Sequence, residues 1–263
     1  MKNIPHDYYL KFLDQKVIED TLEFHNKGNF TIHDCVKNIS LLHNLPPQLL
    51  SELTGNELQL YLDMDITTKG VTLEALEPTS TLHRNQSCDF FDDRDITFES
   101  IKQLISPLLR IGENTHKRGY PSAGALYSVE IFCCSLSPKN TWPCPEKILH
   151  LLPHSRKFEI IQGSYDTSLI KEAILPTGSK IGNPSLAIIY VMYMPKALFK
   201  YRYRGYRLAL METGSIYMLV DLQCKHLNIK SRQWSGYTDN MLCKAIGLNP
   251  TLFFPACVHL IGG

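Results

Sequence analysis

The sequence lacks the features that would place it in a membrane or on nucleic acid. No apolar run approaches the roughly 18 residues of a membrane-spanning helix, so no such helix is predicted. The opening residues, Met-Lys-Asn-Ile-Pro-His-Asp, are not followed by the apolar stretch of a signal peptide. The formal net charge is only +1, and a nearly neutral chain has no general field that would attract nucleic acid or a lipid surface. We therefore expect neither as a partner.

Cysteine motifs are also missing. The eight cysteines include no Cys-x-x-Cys pair and no zinc spacing, so no metal site is predicted. Several lie in apolar runs, as Cys133 and Cys134 do, which is typical of reduced thiols in a core. Reduced cysteines favour a cytoplasmic protein.

The 263 residues predict a small helical unit followed by a larger α+β domain. Residues 1–75 show helical spacing without a chemical motif, and their predicted role is packing or partner contact. Residues 76–263 combine helices with short apolar strands. The predicted strands cover residues 129–136, 148–152, 158–161, 186–194, 229–234 and 256–261. Because residues 186–194 are continuously apolar, that strand is predicted to be central and buried on both faces.

A basic and aromatic cluster precedes the longest predicted helix. Residues 196–207 carry two lysines, three arginines and three tyrosines, and residues 208–227 are apolar almost all round. A helix of that kind is buried on most of its sides. A cationic, aromatic cluster at the start of a buried helix suits an anionic cofactor.

Within this cluster, Lys200 and Tyr201 are the predicted acid–base pair. A free lysine has a pKa of about 10.4 and is a poor base at neutral pH. Positive neighbours and burial against an aromatic ligand make an ammonium group release its proton more readily, and Arg202, Arg204 and Arg207 are such neighbours. We therefore predict that Lys200 accepts a proton while Tyr201 donates a hydrogen bond or carries a proton. A solvated basic turn and an RNA-binding patch remain the alternatives.

Two segments with glycine are candidate ligand contacts. In residues 118–127, Pro121 fixes the backbone, Ser122 can donate and Gly124 lets a flat ligand approach the chain. Arg118 adds positive charge beside a predicted helix start, which is a typical anion site. An ordinary loop-to-helix junction is the alternative. In residues 232–239, Gly236 allows a backbone amide to reach a ligand.

These three segments, in this order, resemble the azoline dehydrogenases of thiazole/oxazole peptide synthetases, which have the flavin-dependent nitroreductase-like fold. The runs from Lys196 to Tyr217 and from Trp234 to Asp239 carry most of the similarity. The turn from Tyr120 to Tyr127 and the stretch from Phe24 to Phe30 add to it. The resemblance covers nearly the whole chain.

The resemblance implies a three-layer α-β-α fold that dimerises through its long helices, with the N-terminal helical unit as an extension. It also implies one FMN at each end of the dimer interface, in contact with both chains. Lys200 and Tyr201 match the family's catalytic pair, and Gly236 matches a late backbone contact. The residues that match the flavin-contacting turn are Pro121, Ser122 and Gly124. The candidates for the FMN phosphate are Arg84, Arg118, Arg204 and Arg232.

The activity implied by the resemblance is FMN-dependent oxidation of peptide thiazolines and oxazolines to thiazoles and oxazoles in the maturation of a microcin-like ribosomal peptide. The implied partners are a cyclodehydratase, a subunit that binds the precursor peptide, and the precursor itself. Lys200 would take the acidic ring proton while the flavin takes the electrons. Two alternatives remain open. One is a free-standing nitroreductase or quinone reductase that uses NAD(P)H, and the other is a flavin-binding subunit that serves only as a scaffold.

Overall fold

The structure, a computed structural model, describes residues 5, 7–31, 45–54, 79–113, 115–138, 142–144, 147–161, 167–175 and 180–263. The chain forms two compact units, one of residues 1–32 with 83–263 and one of residues 33–82. Helix α1 (Gln15–Asn26) belongs to the larger unit, and helix α2 (Pro47–Thr54) belongs to the smaller one. The compact units thus differ from the division at residue 75 in where α1 belongs, and that division stays a prediction.

A six-stranded antiparallel sheet forms the centre of the larger unit. Its strands are β1 (Val129–Ser135), β2 (Ile148–Leu152), β3 (Lys157–Ile160), β4 (Leu186–Tyr193), β5 (Lys230–Trp234) and β6 (Phe253–Gly262). Their order is β3-β2-β1-β4-β6-β5, and every neighbouring pair is antiparallel. All eight residues of β4 are buried. The prediction of a central, fully buried strand is confirmed.

Five further helices complete the described part of the larger unit. They are α3 (Phe98–Ile105), α4 (Thr167–Ile174), α5 (Met194–Tyr201), α6 (Arg204–His226) and α7 (Asp239–Ala245). Short 3-10 turns lie at Tyr8–Phe12, Ser106–Leu108 and Ala123–Ala125. The start of α1 is fixed by Asp14, whose carboxylate accepts hydrogen bonds from the N–H groups of Lys16 and Val17. Among the described helices, none is long and apolar enough to cross a membrane.

The sheet has a buried core on each face, because alternate residues of β4 point to opposite sides. Leu186, Ile188, Tyr190 and Met192 lie in one core, which also receives residues of α3 and α6. Ala187, Ile189 and Val191 lie in the other core, which receives residues of α4 and α7. Helices therefore cover both faces, and the predicted three-layer α-β-α architecture is confirmed.

Helix α6 is the longest described helix, with 23 residues and a length of about 35 Å. It begins four residues before the predicted start at residue 208, inside the basic cluster. Ala209, Ile216 and Val220 are fully buried against the sheet. On other sides, Leu210 and Met218 are each 42% exposed and Met211 is 68% exposed. Part of the apolar surface of α6 therefore faces away from the chain's own core.

Candidate active site

Lys200 and Tyr201 lie at a sharp corner between α5 and α6. Helix α5 follows the buried strand β4 directly, with a proline in its first turn, where a missing N–H loses no helical hydrogen bond. Arg202, with φ of +50°, ends α5, and α6 begins two residues later. Gly205 permits the corner, because a Cβ there would lie 2.6 Å from the carbonyl oxygen of Ala197. The chain thus carries both side chains to the end of a fixed central strand.

Helix α1 holds the other side chains of this corner. Three acidic or aromatic contacts join α1 and its cap to the basic cluster. The pairs are Asp14 with Arg202 at 3.2 Å, Asp20 with Tyr203 at 2.6 Å, and His25 with Tyr206 at 3.3 Å. The His25 ring also stacks on Phe254 of β6 at 4.0 Å between centroids, and burial lowers the pKa of His25 to about 4. A neutral, buried imidazole therefore ties α1 to both the sheet and α6.

Gly124 lies directly against the head groups of Lys200 and Tyr201. A Cβ built on Gly124 would lie 2.7 Å from the hydroxyl oxygen of Tyr201 and 2.8 Å from Nζ of Lys200. The Lys200 Nζ also lies 5.2 Å from the centre of the Tyr201 ring. Lys200 and Gly124 are exposed, and Tyr201 is half-buried. The structure thus brings three predicted site residues together on an open face, which we call the Gly124 cluster.

The turn that carries Gly124 has a strained backbone. Gly124, Ala125 and Tyr127 have φ of +60°, +52° and +53°, a region that is uncommon for alanine and tyrosine. The Tyr127 hydroxyl accepts a hydrogen bond from the Arg118 N–H at 2.9 Å, and the Tyr127 N–H donates to Oγ of Ser122 at 2.8 Å. The Arg118 guanidinium lies 4.3 Å from the centre of the Tyr127 ring. Such strain persists where the surroundings fix it, and it is typical of functional sites.

Glu212 of α6 anchors this turn from inside the protein. Its carboxylate is 3% exposed and accepts hydrogen bonds from the Ser122 hydroxyl at 2.6 Å and the Val129 N–H at 3.2 Å. The hydroxyl and N–H of Ser128 each add a contact at 3.3 Å. Burial raises the pKa of Glu212, although these donors oppose the shift. No motif marks Glu212 in the sequence. The one signal is a carboxylate in an apolar run, which needs donors once it is buried.

Arg84 lies against a second buried carboxylate of α6, Asp221. Its Nε is 2.8 Å from Oδ2 of Asp221, as an ion pair whose N–H is not aligned for a hydrogen bond. Asp221 also contacts His259 at 2.9 Å and the hydroxyl of Ser231 at 2.7 Å. Burial alone would raise the pKa of Asp221, but these partners outweigh burial and lower it. The Arg84 guanidinium thus balances an internal charge, and its role toward a phosphate stays a prediction.

Arg232 and Gly236 lie beside Trp234, on and after β5. The Arg232 guanidinium donates hydrogen bonds to the carbonyl oxygen of Cys88 at 2.8 Å and to the Asp89 carboxylate at 3.1 Å. A Cβ on Gly236 would lie 3.0 Å from the indole of Trp234. These contacts hold the segment before residue 90 to the edge strand of the sheet. The predicted flavin contacts of Arg232 and Gly236 stay predictions.

Arg204, Pro121 and Arg118 complete the predicted set. Arg204 is exposed at the first position of α6, where the helix dipole favours an anion. Pro121 is exposed at the start of the strained turn. Besides its stacking on Tyr127, the Arg118 guanidinium donates to the Tyr120 hydroxyl at 2.7 Å. Of the four candidate arginines, Arg204 and Arg118 therefore lie closest in sequence to elements of the Gly124 cluster.

The Gly124 cluster combines an amine, a phenol hydroxyl and a bare glycine backbone. An amine accepts a proton once it is deprotonated, and a phenol can donate a hydrogen bond to a developing charge. The missing side chain at position 124 lets a flat ring approach the backbone. These features fit a flavin beside an acid–base pair. Within the described ranges, no group of three or more His, Cys, Asp or Glu residues is placed to hold a metal ion.

Comparison with known proteins gives one close relative in sequence. The chain is 30% identical to the microcin B17-processing protein McbC of Escherichia coli over 254 residues, which are 95% of this chain and 92% of that protein. No family model matches the chain.

Solved structures agree with this similarity. A chain of the E. coli microcin synthetase McbBCD complex with truncated pro-MccB17 bound has a TM-score of 0.85 and 28% identity. The match covers 99% of this chain and 98% of that one. A protein described as a nitroreductase from Ralstonia eutropha has a TM-score of 0.56 and 16% identity, over 73% of this chain and 88% of that one. The last match shows the fold alone, and that fold is nitroreductase-like.

Proposed function

This chain belongs to the family of the microcin B17-processing protein McbC, and on this basis we propose that it oxidises azoline rings in a ribosomal peptide precursor. It is an oxidoreductase that converts thiazolines and oxazolines to thiazoles and oxazoles, a loss of two electrons and two protons per ring. The observation that carries the proposal is the amine and hydroxyl of Lys200 and Tyr201 converging on the bare backbone of Gly124 in a chain of this family.

The proposed cofactor is FMN. A bound flavin supplies the two-electron acceptor that amino-acid side chains lack. The nitroreductase-like fold supports a flavin, and the open face at Gly124 leaves room for its flat ring. Arg204 and Arg118 are the proposed contacts for the phosphate, because Arg84 and Arg232 are held in internal pairs.

Lys200 is the proposed base. The azoline ring proton next to the carbonyl and imine groups is acidic, so an amine within hydrogen-bond reach can remove it as the ring becomes aromatic. The Tyr201 hydroxyl shares the Gly124 contact with Lys200 and would donate a hydrogen bond to the substrate or return the proton to water. The turn at residues 121–127 and the corner at Arg202 keep these groups in place, and such fixed geometry accounts for much of an enzyme's rate.

The proposed partners are the other subunits of a synthetase and the precursor peptide. The similar solved structure is a microcin synthetase complex with a truncated precursor bound. A cyclodehydratase would form the azolines that this chain oxidises. We also propose a homodimer through α6, because Leu210, Met211 and Met218 leave apolar surface uncovered in the single chain. The described cysteines are all free, which suits a reducing cytoplasm.

Substitution of Lys200 tests the function. We expect Lys200→Ala, produced together with the partner subunits, to keep its flavin and to lose azole formation by about 100-fold or more, since general base catalysis contributes that much. Mass spectrometry of the peptide measures the loss of two hydrogen atoms per ring. Lys196→Ala is the matched control, because it removes a positive charge one turn earlier in α5 and should leave oxidation nearly unchanged.

Two outcomes would contradict the proposal. Normal azole formation by Lys200→Ala would remove the assigned base. Rapid bleaching of the flavin by NADPH in stopped-flow measurements, without any azoline oxidation, would favour a free-standing reductase on the same fold.

A further inference from the structure

We infer that Glu212 is a positioning residue for the active site: its carboxylate holds the turn of residues 121–127 so that Gly124 meets Lys200 and Tyr201. The inference rests on the proposed function, since it assigns Glu212 a part in the same site. Glu212 does not touch the Gly124 cluster itself. It acts through Ser122 and through the start of β1.

The first argument is the number of donors that converge on one buried carboxylate. Glu212 is 3% exposed and receives hydrogen bonds from Ser122, Ser128 and Val129. The Ser122 contact, at 2.6 Å, is the shortest of them. Ser122 in turn accepts a hydrogen bond from the N–H of Tyr127 at 2.8 Å, so the carboxylate fixes both ends of the turn.

The second argument is what the turn has to maintain. Residues 124, 125 and 127 all have positive φ, and two of them are not glycine. Each such residue raises the energy of the turn, so the turn relaxes unless its ends are held. Relaxation would move Gly124, whose Cβ position is only 2.7 Å from the Tyr201 hydroxyl and 2.8 Å from the Lys200 amine. The anchoring of Glu212 therefore sets the geometry of the acid–base pair.

The third argument is chemical. A carboxylate offers two acceptor oxygens, and all the groups that face Glu212 are donors. Glutamine has the same shape but replaces one oxygen with an NH2 group, which would point its own hydrogens at donors. The Glu212→Gln substitution thus breaks the anchor while it keeps the volume of the side chain.

The test uses the purified full chain, freed of flavin and titrated with FMN while flavin fluorescence is followed. We expect the dissociation constant for FMN to rise about tenfold in Glu212→Gln and in Ser122→Ala, since each loses a hydrogen bond to a charged group. Because both act through one contact, the double variant should bind FMN no more weakly than either single variant. Thr213→Val is the matched control, because Thr213 is equally buried and bonds only the carbonyl oxygen of Ala209 in its own helix.

Amide hydrogen exchange of residues 121–129 is the second measurement and needs no flavin. Exchange in this segment should become faster in Glu212→Gln and Ser122→Ala and stay unchanged in Thr213→Val. If Glu212→Gln folds poorly, the milder Ser122→Ala variant still gives both readouts.

The outcomes separate the inference from the proposed function. Unchanged exchange, faster exchange with unchanged FMN binding, or FMN effects that simply multiply in the double variant would each overturn the role of Glu212. A parent chain that takes up no FMN would overturn the proposed function instead, and hydrogen exchange would still decide whether Glu212 holds the turn.

Discussion

Replacement of Gly124 by alanine separates backbone strain from displacement of the acid–base pair. Gly124 has φ of +60°, and an added Cβ would meet the Tyr201 hydroxyl at 2.7 Å and the Lys200 Nζ at 2.8 Å. Ordinary contact between such atoms is about 3.5–4.0 Å, so both head groups would retreat by about 1 Å. Both atoms are the ends of flexible side chains, and the surrounding backbone can stay where it is.

Two magnitudes follow for Gly124→Ala. Alanine in the left-handed region costs about 1–2 kcal/mol of stability. In a domain of this size that lowers the melting temperature by about 2–8 °C. A displacement of about 1 Å at the reacting groups costs about 100-fold in rate. We therefore expect a large loss of azole formation with a small loss of stability.

Gly247→Ala is the matched control. Gly247 has φ of +80° and is exposed after the end of α7, so alanine there imposes a similar backbone strain far along the chain from residues 200 and 201. Differential scanning fluorimetry gives the melting temperature, and mass spectrometry of the peptide product gives the oxidation rate. The reasoning fails if the two variants lose equal activity, or if Gly124→Ala oxidises azolines at the parent rate.

Two further predictions concern the N-terminal helix and the long helix. The pKa of His25 is about 4 in the folded chain, below its ordinary value near 6.5, so the unfolded chain binds the proton first and stability should fall as pH drops from 6.5 to 4, by at most about 1.4 kcal/mol per pH unit. His25→Phe should flatten that slope in urea denaturation measured at stepped pH, and equal slopes in both proteins would contradict the assignment. Met211→Glu should convert a dimer to a monomer in light-scattering chromatography, because it places a charge on the exposed apolar side of α6. Leu169→Glu, on the exposed side of α4, is its control and should leave the dimer intact.

The sequence predicts the sheet and the Gly124 cluster because both are written in short segments. The run of β4 is continuously apolar, and Lys200, Tyr201 and Gly124 each stand in a motif whose residue types indicate chemistry. Glu212 differs, because its hydrogen-bond donors lie 83 to 90 positions away along the chain. No local pattern encodes such a contact, and only the fold brings it together.

The arginines show the same limit from the other side. An arginine near a loop predicts an anion site equally well whether its partner is a ligand phosphate or a buried carboxylate. Arg84 meets Asp221 and Arg232 meets Asp89, and neither pairing can be anticipated without the fold. Clusters of positive charge therefore indicate that anions are nearby, while the choice between internal and bound anions depends on tertiary contacts.

The exposure of Lys200 links catalysis to assembly. An ammonium group in open water keeps its proton at neutral pH, because water stabilises the charge. In the single chain the Lys200 side chain is open to solvent, so the groups that desolvate it must come from a bound flavin, the peptide and a second chain. Helix α6 starts only four residues after Lys200, and its uncovered apolar side is where that second chain would pack. We therefore expect Met211→Glu to lose azole formation together with the dimer, even where Glu212 still holds the turn, since the base lacks its cover.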